Sequence, residues 1–273
     1  MSKLRCGRFE VDLERPQIMA IVNVTDDSFT GDGLQGDLSA AIRRAETALN
    51  EGADILDIGA ESTRPGSDPV SEQQELDRIV PVVEALANWG VPLSVDTLKP
   101  AVMRAAIAAG ADLINDVNAF RAPGAIDAVA ASEVALCVMH MRGEPRTMQH
   151  APEYGDVVAE VAGFLDERLS TLETAGVAME RIVLDPGFGF GKTLEHNLAL
   201  MRSMAVLRRR DLPILAGLSR KTMLGAITGK PVADRLAASV AAAMIAVQRG
   251  AAIVRVHDVA PTRDALLVMR AMS

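Results

Sequence analysis

The chain has 273 residues, of which 49% are hydrophobic and 23% are charged, with a formal net charge of -8. This composition is that of a globular protein with a sizeable core, so it excludes a wholly disordered chain. The negative charge and the single Trp and Tyr argue against a general nucleic-acid binder, which needs a basic surface or aromatic stacking platforms. The two cysteines, Cys6 and Cys137, suit neither a disulfide framework nor a zinc knuckle, which favours a reducing compartment.

Neither a membrane span nor a signal peptide is indicated. The longest apolar stretch, residues 236–247, includes Ser239 and is much shorter than the roughly 20 residues that a spanning helix needs. The N-terminus reads MSKLRCGRFEVD and has no apolar signal core. We therefore expect a cytoplasmic protein with neither a membrane nor a nucleic acid as its partner.

The predicted elements begin with a short segment ahead of the first long strand. Residues 3–15 precede that strand, and the run 8–13 alternates between polar and apolar residues, which predicts a small hairpin. Eight short apolar runs then follow, mostly continuous, as expected for strands buried on both faces. They are residues 18–22, 55–58, 93–95, 113–114, 135–139, 182–184, 214–218 and 253–256.

The segments between these runs read as helices. Ser71 with Gln74 forms a capping-box pair, and Asp37 and Thr193 can cap the helices that follow them. Glycine ends a helical segment just before five of the predicted strands, where a left-handed conformation costs it little. These glycines are Gly52, Gly90, Gly110, Gly176 and Gly250.

Eight strands that alternate with helices predict a closed (β/α)₈ TIM barrel, with residues 1–273 forming a single domain. The hairpin would then cover the floor of the barrel. A doubly wound open sheet is the alternative.

Polar residues follow the predicted strands at the end where such barrels carry out chemistry. Asp96, Asn115 and Asp185 can accept hydrogen bonds, which suits a flat heterocycle rich in N–H groups. Lys221 and Arg255 are cations and His257 can become one, which suits an anion. This sorting favours a ligand with a polar heterocycle at one end and an anion at the other. Solvated strand ends and helix caps are an equally weighted explanation.

Three motifs resemble other kinds of site. The glycines 31, 33 and 36 match a dinucleotide fingerprint with Asp57 downstream, but the motif does not follow its strand directly. Residues 187–193 look like a phosphate loop, but Pro186 stands where the first glycine is required. The four histidines lack the spacing of a zinc hydrolase.

Seven motifs in order resemble the dihydropteroate synthase family, the folate-pathway enzymes inhibited by sulfonamides. They span nearly the whole chain, and together they are highly specific. They read MAIVNVT (19–25) with DSF (27–29), GAESTRPG (59–66), SVDT (94–97), IND (114–116), DPGFGFGK (185–192), GLSRK (217–221) and RVH (255–257).

The resemblance implies the joining of 4-aminobenzoate to 6-hydroxymethyl-7,8-dihydropterin diphosphate, with release of diphosphate, by a homodimer that uses Mg²⁺. It implies that the pterin is held by Asp96, Asn115, Asp185 and Lys221, and that Asn23 lies beside the Mg²⁺. It implies diphosphate contacts from Thr63, Arg255 and His257. The aminobenzoate site would be bordered by Arg64, Pro65, Phe190, Ser219, Arg220, Lys221 and Thr222, with Phe29 on a loop above it.

These roles agree with the charges of the reaction. Breaking the bond to diphosphate leaves positive charge on the pterin, which the carboxylates of Asp96 and Asp185 would stabilise. Mg²⁺, Arg255 and His257 would stabilise the negative charge on the leaving group. The aryl amine is neutral at pH 7, so positioning and electrostatics should dominate over general-base chemistry.

The first loop departs from the family pattern. Asp26 stands where the family has Pro, and residues 30–33 read Thr-Gly-Asp-Gly in place of Ser-Asp-Gly-Gly. Loss of a Pro loosens the backbone, so loop closure is the step that these changes affect. The altered loop supports one alternative, a catalytically weakened pterin-binding paralogue. A second alternative is a pterin-dependent methyltransferase, which shares the barrel and the pterin-holding acids but would not need the Ser-Arg-Lys and Arg-x-His motifs. Thr222 replaces the usual Ser and keeps the hydroxyl.

Overall fold

The computed structural model describes residues 2–24, 33–61, 70–144 and 147–272. Within them, a two-stranded antiparallel hairpin is followed by eight parallel strands that close into a barrel. The barrel strands pair in chain order, and β10 returns to pair with β3. The strands are β1 Lys3–Cys6, β2 Phe9–Asp12, β3 Gln17–Asn23, β4 Ile55–Gly59, β5 Leu93–Asp96, β6 Leu113–Asp116, β7 Ala135–Met139, β8 Ile182–Asp185, β9 Ile214–Gly217 and β10 Ala251–Val256.

Closure decides between the two predicted folds. Ile253 of β10 is in register with Gln17 of β3, and Val256 is in register with Ala20. An open sheet has no such pairing between its first and last strands. The prediction of a TIM barrel is therefore confirmed, and the doubly wound alternative is wrong.

The helices lie between the strands and follow the predicted order. They are α1 Gly33–Asn50, α2 Glu72–Leu86, α3 Pro100–Ala109, α4 Ala125–Val129, α5 Val157–Thr174, α6 Leu194–Arg202, α7 Met204–Leu207, α8 Thr222–Thr228, α9 Leu236–Gln248 and α10 Val259–Ala271. None of the helices in the described part of the chain has the length and apolarity that crossing a membrane requires.

The predicted helix caps are confirmed at two of three positions. Ser71 and Gln74 form the reciprocal capping box of α2, and Thr193 caps α6 with His196 as its partner. Asp37 does not precede its helix, because α1 already begins at Gly33. Gly110 ends α3 at φ 112°, a left-handed conformation that favours glycine at this position.

The hairpin closes the amino-terminal end of the barrel, as predicted. Leu4, Cys6 and Val11 of the hairpin are buried in one cluster with side chains of the barrel strands. The strand residues of this cluster are Met19, Ile55, Leu113, Ala135, Cys137, Val183, Leu215 and Ile253.

A polar contact fixes the hairpin to the barrel. Arg8 donates from Nε and Nη2 to the two carboxylate oxygens of Asp112, at 2.9 and 2.8 Å. Gly7 turns between the two strands at φ 56°, and a Cβ there would lie 2.6 Å from an oxygen of Asp112. Only glycine allows this approach, so residues 7 and 8 together hold the hairpin against the barrel floor.

Candidate active site

Polar side chains form a second layer inside the barrel, beyond the apolar layer that meets the hairpin. Side chains along a strand alternate between its faces, so a residue two positions after an interior one also faces the interior. This step leads from Ile55, Leu113, Val183 and Ile253 of the apolar layer to Asp57, Asn115, Asp185 and Arg255. The polar layer therefore lies near the carboxyl ends of the strands, where barrels of this type bind substrates.

Arg255 lies between two carboxylates in this layer. Its Nε donates to Oδ2 of Asp57 at 2.6 Å, and its Nη2 donates to Oδ2 of Asp96 at 2.9 Å. Ser94 donates from Oγ to the other oxygen of Asp57 at 2.5 Å. Charge-assisted hydrogen bonds on both sides restrict the guanidinium to one place.

The structure differs from the predicted separation of acceptors and cations. The sequence groups Arg255 with the anion-binding side, whereas the structure pairs it with the acceptor Asp96. Strand register explains the contact, because Arg255 lies beside Met19 of β3, and Met19 lies beside Ile55 of β4. The long arginine side chain crosses one strand and reaches Asp57, two residues beyond Ile55.

Asp57 is the residue that sequence reasoning missed. The sequence offered it as a polar residue near the end of the second barrel strand and as the acid of the rejected dinucleotide motif, but gave it no role in the site. Its side chain is fully buried and it accepts from both Ser94 and Arg255. Ser94 lies on the neighbouring strand β5, whereas the contact with Arg255 depends on closure of the barrel.

Burial disfavours the ionised form of two acids in this layer. Burial raises the pKa of Asp96 to about 7, and Asp57 adds to this shift while Arg255 opposes it. Burial also raises the pKa of Asp185, against the effect of Lys221. Donors from a ligand would stabilise the ionised form of both acids, so the layer suits a molecule rich in N–H groups.

Asp185 begins a glycine-rich loop that joins β8 to α6. Its Oδ1 accepts from the backbone N–H of Gly187 at 2.7 Å. Gly187 adopts φ 70°, and a Cβ there would lie 1.8 Å from the carbonyl oxygen of His140. The loop therefore packs directly on the end of β7, and this close approach requires glycine.

Lys192 holds this loop from inside and is not a phosphate-binding lysine. Its Nζ donates to the carbonyls of Gly187 at 2.9 Å and Phe190 at 3.0 Å, and lies 2.9 Å from Nδ1 of His140. Burial lowers the pKa of Lys192 to about 7, and burial with the nearby Lys192 lowers the pKa of His140 to about 3. The rejection of the phosphate-loop motif agrees with this inward orientation.

Lys221 and Phe190, both predicted at the site, meet on the other side of the loop. The Nζ of Lys221 lies 4.6 Å from the centroid of the Phe190 ring and donates to the carbonyl of Phe188. Burial lowers the pKa of Lys221 to about 8, while Asp185 opposes this shift. A cation over an aromatic face makes a mixed apolar and charged surface, suited to a planar ligand that carries an anion.

The predicted residues after β9 and β10 divide into two groups. Ser219 Oγ lies 3.0 Å from Nδ1 of His257 and accepts from its backbone N–H at 3.2 Å. Arg220 instead donates to both carboxylate oxygens of Asp258, at 3.1 and 2.5 Å. Thr222 is exposed at the start of α8. The structure thus brings Ser219 and His257 together and engages the side chain of Arg220 with Asp258.

The remaining predicted residues lie at or beyond the edge of the described structure. Asn23 ends β3 and is in register with Gly59, which is in register with Asp96. Several sequence interpretations fall on residues outside the described part of the chain. They concern Phe29, Thr63, Arg64, Pro65 and the altered loop positions Asp26, Thr30, Gly31 and Asp32.

Two further rejected motifs can be placed. Gly33 and Gly36 of the dinucleotide pattern lie within α1, so in the described residues they belong to a helix and not to a turn directly after a strand. In the part of the chain that the structure describes, no three His, Cys, Asp or Glu side chains are grouped to hold a metal ion.

Comparisons with known proteins agree with this geometry. The family model described as "Pterin binding enzyme" matches residues 19–257. The curated dihydropteroate synthase of Escherichia coli K12 is 47% identical over 270 residues, which is 98% of this chain and 96% of that protein.

Solved structures are similar over the same length. Burkholderia cenocepacia dihydropteroate synthase, complexed with 7,8-dihydropteroate, is 57% identical with a TM-score of 0.92, covering 99% of this chain and 96% of that one. Xanthomonas albilineans dihydropteroate synthase with 4-aminobenzoic acid is 50% identical with a TM-score of 0.93, and the match covers 99% of this chain and 98% of that one. This chain therefore belongs to the pterin-binding enzyme family.

Proposed function

We propose that this chain acts as a dihydropteroate synthase, joining 4-aminobenzoate to 6-hydroxymethyl-7,8-dihydropterin diphosphate to form 7,8-dihydropteroate and diphosphate. One observation carries the proposal. Three acceptor side chains, Asp96, Asn115 and Asp185, lie at or next to the ends of three strands at one barrel mouth, and Lys221 interacts electrostatically with Asp185. This set matches the ring N–H and amino groups of a pterin.

The pterin end of the site supplies fixed negative charge. Departure of diphosphate breaks the bond between carbon and oxygen at the methylene group and leaves positive charge on the pterin. The carboxylates of Asp96 and Asp185 stabilise that charge without rearranging, because each already has hydrogen-bond partners that hold it. The aryl amine nitrogen then bonds to the methylene carbon, and its proton leaves to solvent.

The anion end is proposed to include Arg255, His257 and Thr63. Arg255 is bound to two acids, but 21% of its side chain remains exposed, so the same guanidinium can face a ligand. His257 is held by Ser219, which orients its ring. Thr63 completes the proposed set on the strength of the motif alone.

Mg²⁺ is proposed to accompany the diphosphate. Mg²⁺ keeps several waters and takes few ligands from the protein when substrate phosphates bind it, and the side-chain oxygen of Asn23 at the end of β3 is the protein donor that we propose. When bound, the ion would withdraw charge from the leaving group. The fold places Asn23 on β3, two strands away from Asp96 on β5 and at the same level of the barrel.

The aminobenzoate is proposed to lie against Phe190 and Lys221. The ring of Phe190 offers an apolar face and Lys221 a positive charge within 4.6 Å of it. Ser219, Arg220 and Thr222 border this region along the β9–α8 connection. Arg64, Pro65 and Phe29 complete the proposed border.

The reaction is tested by measuring diphosphate release from the purified protein with the pterin diphosphate and Mg²⁺, with and without 4-aminobenzoate. Release that depends on 4-aminobenzoate, with 7,8-dihydropteroate as product, supports the synthase. Binding of the pterin substrate without release would favour the weakened paralogue and direct attention to Asp26, Gly31 and Asp32. Transfer of a methyl group to a corrinoid protein would favour the methyltransferase, although the curated and solved relatives described above are synthases.

We also propose a homodimer in the cytoplasm. Apolar side chains about half exposed on α8, α9 and the segment between them offer a surface for a second copy, namely Ile227, Val232, Leu236 and Ile245. Sedimentation equilibrium of the unaltered protein should give twice the mass of the chain. The Ile245→Glu variant should give the mass of a single chain. The two cysteines are buried and unpaired, which fits a reducing compartment.

A further inference from the structure

A small recess lies beside Asp96, and neither Arg255 nor Asp57 lines it. Its volume is about 10 Å³, close to the least space that one ordered water molecule needs. Both polar and apolar side chains form its wall. They are Glu61, Glu75, Asp96, Thr97, Leu98 and Val117.

Glu75, one of the residues that line this recess, has an unsatisfied carboxylate oxygen. The residue lies in the first turn of α2 and is 1% exposed. Its Oε2 accepts from Nζ of Lys99 at 2.5 Å. Its Oε1 is buried and has no hydrogen-bond partner among the described residues. Buried carboxylate oxygens are costly without a donor, so this atom indicates a missing one.

Lys99 is already engaged. Its Nζ also donates to Oε2 of Glu61, so one ammonium group serves two carboxylates. The cluster of Glu61, Glu75 and Lys99 therefore keeps a net negative charge when both acids are ionised. An occupant of the recess must be small and must donate hydrogen bonds, and water meets both conditions.

We propose that one water molecule occupies this recess, donates a hydrogen bond to Oε1 of Glu75 and links it to Asp96, so that Glu75 and Lys99 are positioning residues for the pterin-binding carboxylate. The role assigned to Asp96 rests on the proposed function. The water site itself rests on the geometry of Glu75 and the recess.

The link is electrostatic as well as geometric. Charged groups from four elements and two loops act on or near Asp96, namely Arg255, Asp57, Asp116, Glu75, Lys221 and Lys99. The negative charge of Glu75 raises the pKa of Asp96. Removing that charge should favour the ionised form of Asp96, and removing the positive charge of Lys99 should disfavour it.

The water is tested in a crystal structure of the unaltered protein at about 1.5 Å resolution. We expect a density peak within about 3.2 Å of Oε1 of Glu75, at hydrogen-bond distance. An empty recess would overturn the proposal. A peak with several oxygen contacts shorter than about 2.4 Å would also overturn it, because such contacts indicate a metal ion.

The positioning role is tested through the pH dependence of 7,8-dihydropteroate binding, measured by calorimetry. Binding should weaken on the acid side as Asp96 takes up a proton. We call this part of the binding profile the acid limb and measure its midpoint pH. In Glu75→Gln the midpoint should move down by about one pH unit, and in Lys99→Met it should move up by a similar amount. A purely structural role would not produce shifts of opposite sign.

Glu72→Gln is the matched control. Glu72 lies in the same first turn of α2 but is exposed to solvent, so the substitution removes an equivalent charge from the helix terminus away from the recess. Its acid limb should match that of the unaltered protein. Identical acid limbs in Glu75→Gln and Glu72→Gln would overturn the positioning role. Failure of the unaltered protein to bind 7,8-dihydropteroate at any pH would instead contradict the proposed function.

Discussion

The guanidinium Nε of Arg255 lies 2.6 Å from Oδ2 of Asp57, although 198 positions separate the two residues in the chain. The contact exists only because β10 pairs with β3 and closes the barrel. It ties the last strand to the second strand of the barrel and fixes Arg255 against Asp96 on its other side. Closure of the barrel therefore also brings Arg255 to its position in the site.

Asp57→Asn should impair both the site and the fold. The amide keeps the shape but removes the charge opposite Arg255, so we expect kcat/KM to fall by about 10- to 100-fold and the free energy of unfolding to fall by about 2 kcal/mol. Steady-state kinetics and urea unfolding measure the two effects. Asp77→Asn, on the exposed face of α2, should change neither. Unaltered kinetics in Asp57→Asn would remove Asp57 from the site.

Asp185→Asn should remove most of the turnover and leave the fold intact. An amide oxygen can still accept from the Gly187 N–H, but the negative charge that stabilises the pterin is lost. We expect kcat to fall by about 100-fold or more, with a thermal unfolding midpoint close to that of the unaltered protein. Turnover near the original rate would contradict the electrostatic role.

His140 should make the protein less stable in acid. Burial and Lys192 lower its pKa to about 3 from an ordinary value of 6.5, so the folded protein excludes a proton that the unfolded chain binds. Stability is thus lost as pH falls from 6.5 towards 3. Between pH 6.5 and 4, we expect the unaltered protein to lose about 3 kcal/mol more than His140→Gln, as measured by urea unfolding across this range. Parallel stability curves would contradict this assignment.

Gly187→Ala should disrupt the loop that carries Phe190. A Cβ at this position would meet the carbonyl of His140 at 1.8 Å, so the loop must move and Lys192 must lose carbonyl partners. We expect a fall of at least about 2 kcal/mol in stability and a higher KM for 4-aminobenzoate. Gly176→Ala is the matched control, because that residue also has a positive φ but nothing within 4 Å of its Cβ position. Equal effects in both variants would show that backbone strain alone is responsible.

Much of the fold could be predicted because local sequence signals agree with it. Continuous apolar runs marked the barrel strands, and Ser71, Thr193 and Gly110 marked helix ends. Asp37 misled because an acidic residue a few positions inside a helix looks like a cap in sequence, whereas α1 begins at Gly33. The hairpin could be predicted in outline from one alternating strand, but its fixing by Arg8 and Asp112 depends on residues about a hundred positions apart.

The sequence motifs predicted which residues form the candidate site, but not which of their side chains contact one another. The residues at the strand ends could be assigned because each follows a recognisable run. The pairing of Arg255 with Asp57, and the contact of Lys192 with His140, join distant segments and leave no local trace. The charge of a side chain indicated which part of a ligand it could bind. The register of the strands determined which other side chain it contacts.

The apolar floor formed by Leu4, Cys6 and Val11 has a kinetic consequence. Because the hairpin fills one end of the barrel, both substrates must arrive, and both products depart, through the opposite mouth. The polar layer that is proposed to hold the pterin lies directly beyond this floor, and Phe190 lies farther out. An aminobenzoate seated first would obstruct the passage, so we predict compulsory-ordered binding with the pterin substrate leading. Initial-rate patterns with a 4-aminobenzoate analogue as a dead-end inhibitor should accordingly be uncompetitive against the pterin diphosphate.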